Sequence, residues 1–226
     1  MNPKEFFKDW YRFLDMSSLN TALQYVSREA FYPQADKVFK AFTLCKALDT
    51  SVILLGQDPY PQKGVATGIA FGNSPDTPES KLSPSLQVLK EAAIDYTKHH
   101  GLIEFDNSLE YWGKQGVLLL NSSLTVKPGT PNSHSLYWRP FISAFLKKFS
   151  EWNPGAVFVL FGSQAKSFRQ FISPMAKDIF EAEHPSAVAR KGGQLPLDLF
   201  PRIAEAAYRA SGVKLQWYKD LSDDII

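Results

Sequence analysis

Four short stretches hold the side chains best suited to chemistry: Gln57-Asp58-Pro59-Tyr60, Asn121-Ser122-Ser123, Gly162-Ser163 and His184-Pro185-Ser186. Between them they supply a carboxylate, two carboxamides, several hydroxyls, a phenol and an imidazole. Taken singly, each has a plain structural reading. Asp58 is as readily the cap of the segment after it as a reactive group, and Pro and Gly around it suit a turn. Asn121 can be a satisfied turn residue, and His184 a loop histidine held before a proline. Position sets them apart, because each stretch follows an apolar run of strand length. Ligand crevices of open α/β sheets lie outside the carboxyl ends of the strands. Four strands that end in polar or small residues on one edge therefore read as a convergent pocket. The stretches contain no cluster of metal ligands, and neither metal nor cofactor is expected.

The elements that must position these groups follow from periodicity. Val52 to Leu55 is a short apolar run of the kind buried on both faces of a parallel sheet, Val117 to Leu120 is a second wholly apolar strand, and Ala156 to Phe161 and Asp178 to Ala182 read as a third and a fourth short strand. Helical spacing places Phe6, Phe7, Trp10, Phe13 and Leu14 on one face, and Leu19, Leu23 and Val26 on another after Ser17-Ser18. A third helix is expected from about Gln34 to Leu44. Ser83-Pro84 starts a helix with Leu86, Leu89, Ala93 and Tyr96 inward. Further helices are expected near 106–114, 138–152, 164–172 and 199–210. Strands alternating with helices imply right-handed crossovers and an α/β fold: a three-layer α/β/α sandwich around a central four-stranded parallel sheet.

Composition sets the bounds. The 226 residues carry no Pro/Gly/Ser linker, so one domain over residues 1–226 is expected, with residues 1–45 as helices packed on it and a frayed tail from about 220. A formal charge of +2 names no partner. Lys127, Arg139, Lys147 and Lys148 nevertheless fall in a stretch without Asp or Glu, which is either a phosphate-facing patch or a solvated face. The single Cys45 excludes a disulfide framework and suits a reducing compartment. No run reaches membrane-spanning length and the first residues lack a signal-peptide core, so a soluble, cytoplasmic protein is expected. Gly64, Gly68 and Gly72 match neither a dinucleotide fingerprint nor a P-loop.

Gly56-Gln57-Asp58-Pro59-Tyr60, Leu118-Leu119-Leu120-Asn121 with Leu124-Thr125-Val126, and His184-Pro185-Ser186 resemble, in order and spacing, the motifs of family 1 uracil-DNA glycosylases. The likeness runs from about Tyr32 to Trp217. It implies a monofunctional, metal-free enzyme, a monomer, that excises uracil from single- and double-stranded DNA in base excision repair and leaves an abasic site. It further implies a base flipped out of the stack at a cost of a few kcal/mol. By resemblance, Asp58 holds the attacking water and His184 donates to O2 of the leaving base. Gln57 completes the O2 site, Phe71 stacks on uracil, Asn121 bonds its O4 and N3–H edge, and Tyr60 excludes thymine's methyl group. Ser85, Ser163 and Ser186 grip phosphates. Phe71 taken alone also reads as core packing, and Ser85 and Ser163 as helix caps. Proteinaceous DNA-mimic inhibitors are possible partners by the same resemblance. His99, His100 and His134 read as surface or structural residues, His134 within an Asn132-Ser133-His134 triplet that the family also has.

Two positions depart from the family pattern. Pro61 stands where the family usually has His, and Ala187-Val188-Ala189 stands where it typically has Pro-Leu-Ser. The family's leucine wedges into the base stack, as apolar residues do in other DNA-distorting proteins. Val188 is the shorter wedge expected here, with Arg190 and Lys191 adding charge at the DNA. Weaker flipping from a duplex and a relative preference for single strands follow. The alternative is a relative that binds uracil-containing or abasic DNA without efficient turnover.

Overall fold

The computed structural model describes residues 2–94 and 102–221, and along them the chain alternates between helix and strand. The elements in order are α1 (Pro3–Phe7), α2 (Met16–Val26), α3 (Ala41–Leu44), β1 (Val52–Gly56), α4 (Pro84–Ala93), β2 (Ile103–Glu104), α5 (Glu110–Lys114) and β3 (Val117–Asn121). They continue with α6 (Ser135–Trp152), β4 (Val157–Phe161), α7 (Gly162–Lys166), β5 (Ile179–Ala182), α8 (Pro185–Arg190), α9 (Leu199–Ser211) and β6 (Lys219–Asp220).

The four expected apolar runs form one parallel sheet in the order β3-β1-β4-β5. Its two faces feed two cores. Ile53, Leu55, Leu118, Leu120, Phe158 and Leu160 point to one side, where α2, α6 and the aromatic N-terminal segment cover them. Val52, Leu54, Val117, Leu119, Val157 and Val159 point to the other, under α4, α9, Trp112 and Trp217. Successive residues of a strand face opposite ways, so a strand covered twice has no polar position, and the sequence runs are continuous for that reason. Each such side chain contributes about 1.5–3 kcal/mol by leaving water. The result is the expected three-layer sandwich with a rigid sheet, and the register Gly56↔Asn121 puts the last residues of β1 and β3 side by side.

The helices differ from expectation mainly at their ends. The first breaks at Lys8, whose φ is 51°, and continues as a 3₁₀ turn over Lys8–Phe13 that still buries Trp10 and Phe13. Asp15 caps α2 by accepting from Ser18 N at 2.9 Å, in place of the Ser pair. The expected helix over 34–44 is a 3₁₀ turn, Ala35–Lys37, followed by α3, because its amides bond three residues back: Lys37 N to Gln34 O and Lys40 N to Lys37 O. The helix expected over 164–172 divides in the same way into α7 and a 3₁₀ turn at Arg169–Phe171. The antiparallel pair β2–β6 was not anticipated. Tyr96, His99 and His100 lie outside the described residues, as does the end of the expected tail. Among the described residues no helix is long and apolar enough to cross a membrane.

Candidate active site

At the carboxyl ends of the strands lies a cavity of about 470 Å³, within the usual range for ligand pockets. Gln57, Asp58, Tyr60, Phe71, Ser85, Asn121, His184, Ser186 and Arg190 line it. These residues come from five separate parts of the chain. The loops after β1 and β3 are stitched together by Ser122 N to Gly56 O at 3.0 Å, Ser123 N to Gln57 O at 3.0 Å, and Ser122 Oγ to Gln57 O at 2.7 Å. Gly56 forms the floor. A Cβ there would sit 2.6 Å from Asn121 Oδ1 and 3.0 Å from Phe71 Cζ, so only glycine lets amide and ring approach each other this closely.

Asp58 is fixed at both oxygens. Gln57 Nε2 donates to Oδ1 at 3.1 Å, and the backbone N–H of Asn132 donates to Oδ2 at 2.6 Å. Burial raises its pKa, and these two donors pull it back. His184 is held differently. Its Nδ1 accepts the backbone N–H of Ser186 at 3.2 Å and lies 2.8 Å from Ser186 Oγ. A ring nitrogen that accepts an N–H carries no proton, so a neutral His184 bears its hydrogen on Nε2. Burial, and secondarily the charge of Arg190, push its pKa down to about 4, which keeps the ring neutral near pH 7. His184 is thus an Nε2–H donor.

Phe71 is 6% exposed and has φ of 66°. Its ring meets Phe161 edge-on at 5.5 Å and lies 5.5 Å from His184, while its carbonyl accepts from Tyr60 OH at 2.9 Å. Burial raises the Tyr60 phenol to about 12, so it stays protonated and donates. Asn121, at the end of β3, is 9% exposed and presents its amide to the cavity. Gly162 also serves the site: its φ is 82°, and a Cβ there would lie 2.7 Å from His184 Cβ.

Not every expected residue points into the cavity. Ser163 is exposed and outside its lining, and Ser85 is buried in its wall. The wedge assignment is corrected. Residues 185–190 fold as α8 rather than as a loop, started by Pro185 at the first position and by His184 as cap. Helical spacing then turns Ser186 and Arg190 to the cavity and Val188 away from it, into the core beside α4, where it is 4% exposed. A residue so buried does not reach a base stack. Lys191 pairs with Glu183, and Arg190 is exposed at the rim, where the exposed Lys81 also lines the cavity.

The basic stretch is dispersed in the same way. Lys127 pairs with Glu29 at 2.8 Å, Arg139 lies over the Phe168 ring and bonds Ser167, and Lys148 Nζ donates to Leu14 O. Sequence reasoning missed the backbone amide of Asn132 and the floor role of Gly56. Pro61 lines the cavity, and its carbonyl accepts from Gly129 N at 2.9 Å. A larger cavity, about 920 Å³, opens at the amino ends of the strands beside Thr50, Ser51 and Gly116. It holds none of the expected residues, and its Cys45 thiol is pushed up to about 11 by burial, too high for a thiolate nucleophile. Asp58, Asn121 and His184 line the smaller cavity instead.

The chain was also compared with known proteins. Residues 42–207 match the model of the uracil DNA glycosylase superfamily. A uracil-DNA glycosylase of Campylobacter lari is 37% identical over 194 residues, covering 83% of this chain and 81% of its own. One from Campylobacter jejuni subsp. doylei is 34% identical over 221 residues, covering 95% and 91%. Among solved structures, a variant of mimivirus UNG in complex with UGI superposes with a TM-score of 0.73 over 96% of this chain and 88% of that one; at 19% identity this is a likeness of fold.

Proposed function

The chain belongs to the uracil-DNA glycosylase superfamily, and from that premise we propose that it hydrolyses the N-glycosidic bond of deoxyuridine in DNA as a monofunctional enzyme of the family 1 kind. Uracil is released and an abasic site remains. The observation that carries the reading is one cavity lined by a doubly fixed carboxylate, a neutral imidazole with its proton on Nε2, a carboxamide and an aromatic ring.

On this reading an extruded uracil stacks on Phe71, and Asn121 reads its edge, accepting N3–H and donating to O4; cytosine presents the opposite pattern and leaves the amide unpaired. Tyr60, tethered through its hydroxyl to Phe71 O, fills the space beside C5. As the bond from C1′ to N1 breaks, positive charge grows on the sugar and negative charge on the base. The Asp58 carboxylate faces the first and orients the water that adds to C1′, taking up its proton. The His184 Nε2–H bonds O2 and stabilises the second, acting as a preorganised donor where charge develops. Gln57 holds Asp58 through its amide and completes the O2 site. Arg190 and Ser186 meet the DNA backbone at the rim.

Proposed partners are uracil-containing DNA, single-stranded or duplex, and proteinaceous inhibitors that mimic DNA. With Val188 inside the core, no apolar wedge stands at that position, which supports a preference for single strands. The test is incubation with a uracil-containing oligonucleotide, with and without Asp58→Asn, followed by alkaline strand scission. Scission by the natural chain and its loss in the variant are expected. Tight binding without scission by the natural chain would instead identify a protein that holds uracil-containing or abasic DNA.

A further inference from the structure

We propose that the loop over residues 127–133, anchored by the buried His134, sets the position of Asp58, which makes His134 a positioning residue for base excision. This rests on the function proposed above and adds a residue outside the cavity. His134 is 0% exposed, and its ring is engaged at both nitrogens: Nδ1 lies 2.8 Å from Thr125 Oγ1 and Nε2 lies 3.1 Å from Glu29 Oε1. A carboxylate only accepts, so Nε2 carries the hydrogen, and in the neutral ring Nδ1 accepts from the Thr125 hydroxyl. Thr125 Oγ1 in turn accepts the indole N–H of Trp138 at 2.7 Å. A continuous chain of hydrogen bonds thus runs from the buried face of α6 through His134 to Glu29. The other Glu29 oxygen holds Lys127 Nζ at 2.8 Å, the first residue of the loop.

The far side of that loop meets the Asp58 segment twice. Asn132 N donates to Asp58 Oδ2 at 2.6 Å, and Gly129 N donates to Pro61 O at 2.9 Å. Lys127 N to Ser133 Oγ at 2.8 Å closes the loop on itself. Asn132 has φ of 64°, a left-handed conformation that Asn and Gly tolerate and β-branched residues do not. Asp58 is touched by the backbone of Asn132, whose orientation depends on the loop and hence on the His134 anchor. The other titratable or charged groups that line the cavity, Tyr60, Lys81, His184 and Arg190, come from elements outside the loop.

The experiment uses the full chain and a single-stranded uracil oligonucleotide. For His134→Ala, kcat falls by about tenfold to a hundredfold, as for loss of one charged hydrogen bond. KM and inhibition by free uracil stay within about twofold, because uracil is held by other residues. The acid limb of the kcat–pH profile moves up by about one pH unit, since a carboxylate that loses a donor keeps its proton to higher pH. A second variant guards against a folding defect: Asn132→Val, whose β-branched side chain disfavours the left-handed conformation, behaves as His134→Ala with its fold verified by circular dichroism. An unmoved acid limb in folded His134→Ala, or natural activity of folded Asn132→Val, overturns the proposal while leaving the glycosylase reading intact. A natural chain with no scission at all overturns both.

Discussion

The contact between Gly56, Asn121 and Phe71 allows the site to be perturbed by one methyl group. Gly56 lies in β1 with no left-handed backbone, so alanine there meets no conformational strain. Its Cβ would lie 2.6 Å from Asn121 Oδ1 and 3.0 and 3.1 Å from two Phe71 ring carbons. Phe71 is wedged between Phe161 and His184, so the amide is the part that gives way. To restore an ordinary carbon–oxygen contact of about 3.3 Å it must retreat by about 0.7 Å. A misplacement of 1 Å costs about a hundredfold in rate, so this shift is worth about thirtyfold, or about 2 kcal/mol of transition-state binding. The stability cost is smaller, about 1 kcal/mol for a crowded but yielding neighbour, which lowers the melting temperature by only about 2–4 °C in a chain of this size. Three measurements on Gly56→Ala decide the matter: single-turnover excision from a uracil oligonucleotide, inhibition by free uracil, and thermal melting. Excision and uracil binding are expected to weaken together while the fold survives. Activity within about threefold of the natural chain would refute the assignment of Asn121 and Gly56 to the base-reading floor.

Three further outcomes follow from the site. Asp58→Asn removes a full charge facing the sugar; at about 4 Å and an effective dielectric near 20 this is worth about 4 kcal/mol, so excision drops about a thousandfold, and a drop below about tenfold would remove Asp58 from its role. His184, held near 4 against an ordinary 6.5, refuses a proton that the unfolded chain takes up. Its contribution to stability is therefore complete above about pH 6.5 and is lost as pH falls toward about 4. Asp58, whose raised pKa acts in the opposite sense, is common to natural and variant chains. Urea midpoints should fall less between about pH 7 and pH 5 in His184→Gln than in the natural chain, and an equal fall would contradict the assignment. Arg190→Ala should weaken oligonucleotide binding and lower the slope of log affinity against log salt by about one, whereas Val188→Ala should cost about 1–3 kcal/mol of stability with DNA affinity unchanged. Reversed effects would return the wedge to Val188.

Three strands of the sheet were legible because β1, β3 and β4 are buried on both faces, which leaves unbroken apolar runs such as Leu118-Leu119-Leu120, while the edge strand β5 is only partly buried and carries the exposed Glu181. Of the side chains given roles in the proposed function, Asp58 and Asn121 were legible for the same reason, at or just after the ends of β1 and β3, and His184 follows the edge strand β5. Two things were hidden. Asn132 acts through its backbone amide, and an amide has no sequence signal. Val188 was assigned by register to a wedge, but register says nothing of which way a residue faces. A helix signal was present in Pro185, followed by Ala187, Ala189 and Arg190, and a helix from 185 to 190 puts 186 and 190 on one face and 188 on the other.

Three residues with left-handed backbones hold groups of the site in place, and they help explain how so many groups converge in so little space. Phe71, Asn132 and Gly162 have φ of 66°, 64° and 82°. Each aims something at the site: Phe71 its ring and carbonyl together, Asn132 an N–H at Asp58, and Gly162 a gap that His184 occupies. In the two that are not glycine this costs roughly 1–3 kcal/mol each, and it persists only where neighbours over-determine the conformation. Tyr60, Phe161 and His184 do so for Phe71, and the His134 anchor does so for Asn132. Walls fixed to that degree have little room to close around a substrate, so the base has to come to the pocket. Leaving a duplex costs a few kcal/mol of unstacking. With Val188 in the core, that side chain does not offset the cost, and the rim carries the cations Lys81 and Arg190. On the proposed function such a pocket favours uracil that is already unstacked, and the ratio of single-stranded to duplex rates in Arg190→Ala, set against the same ratio in the natural chain, measures what Arg190 contributes.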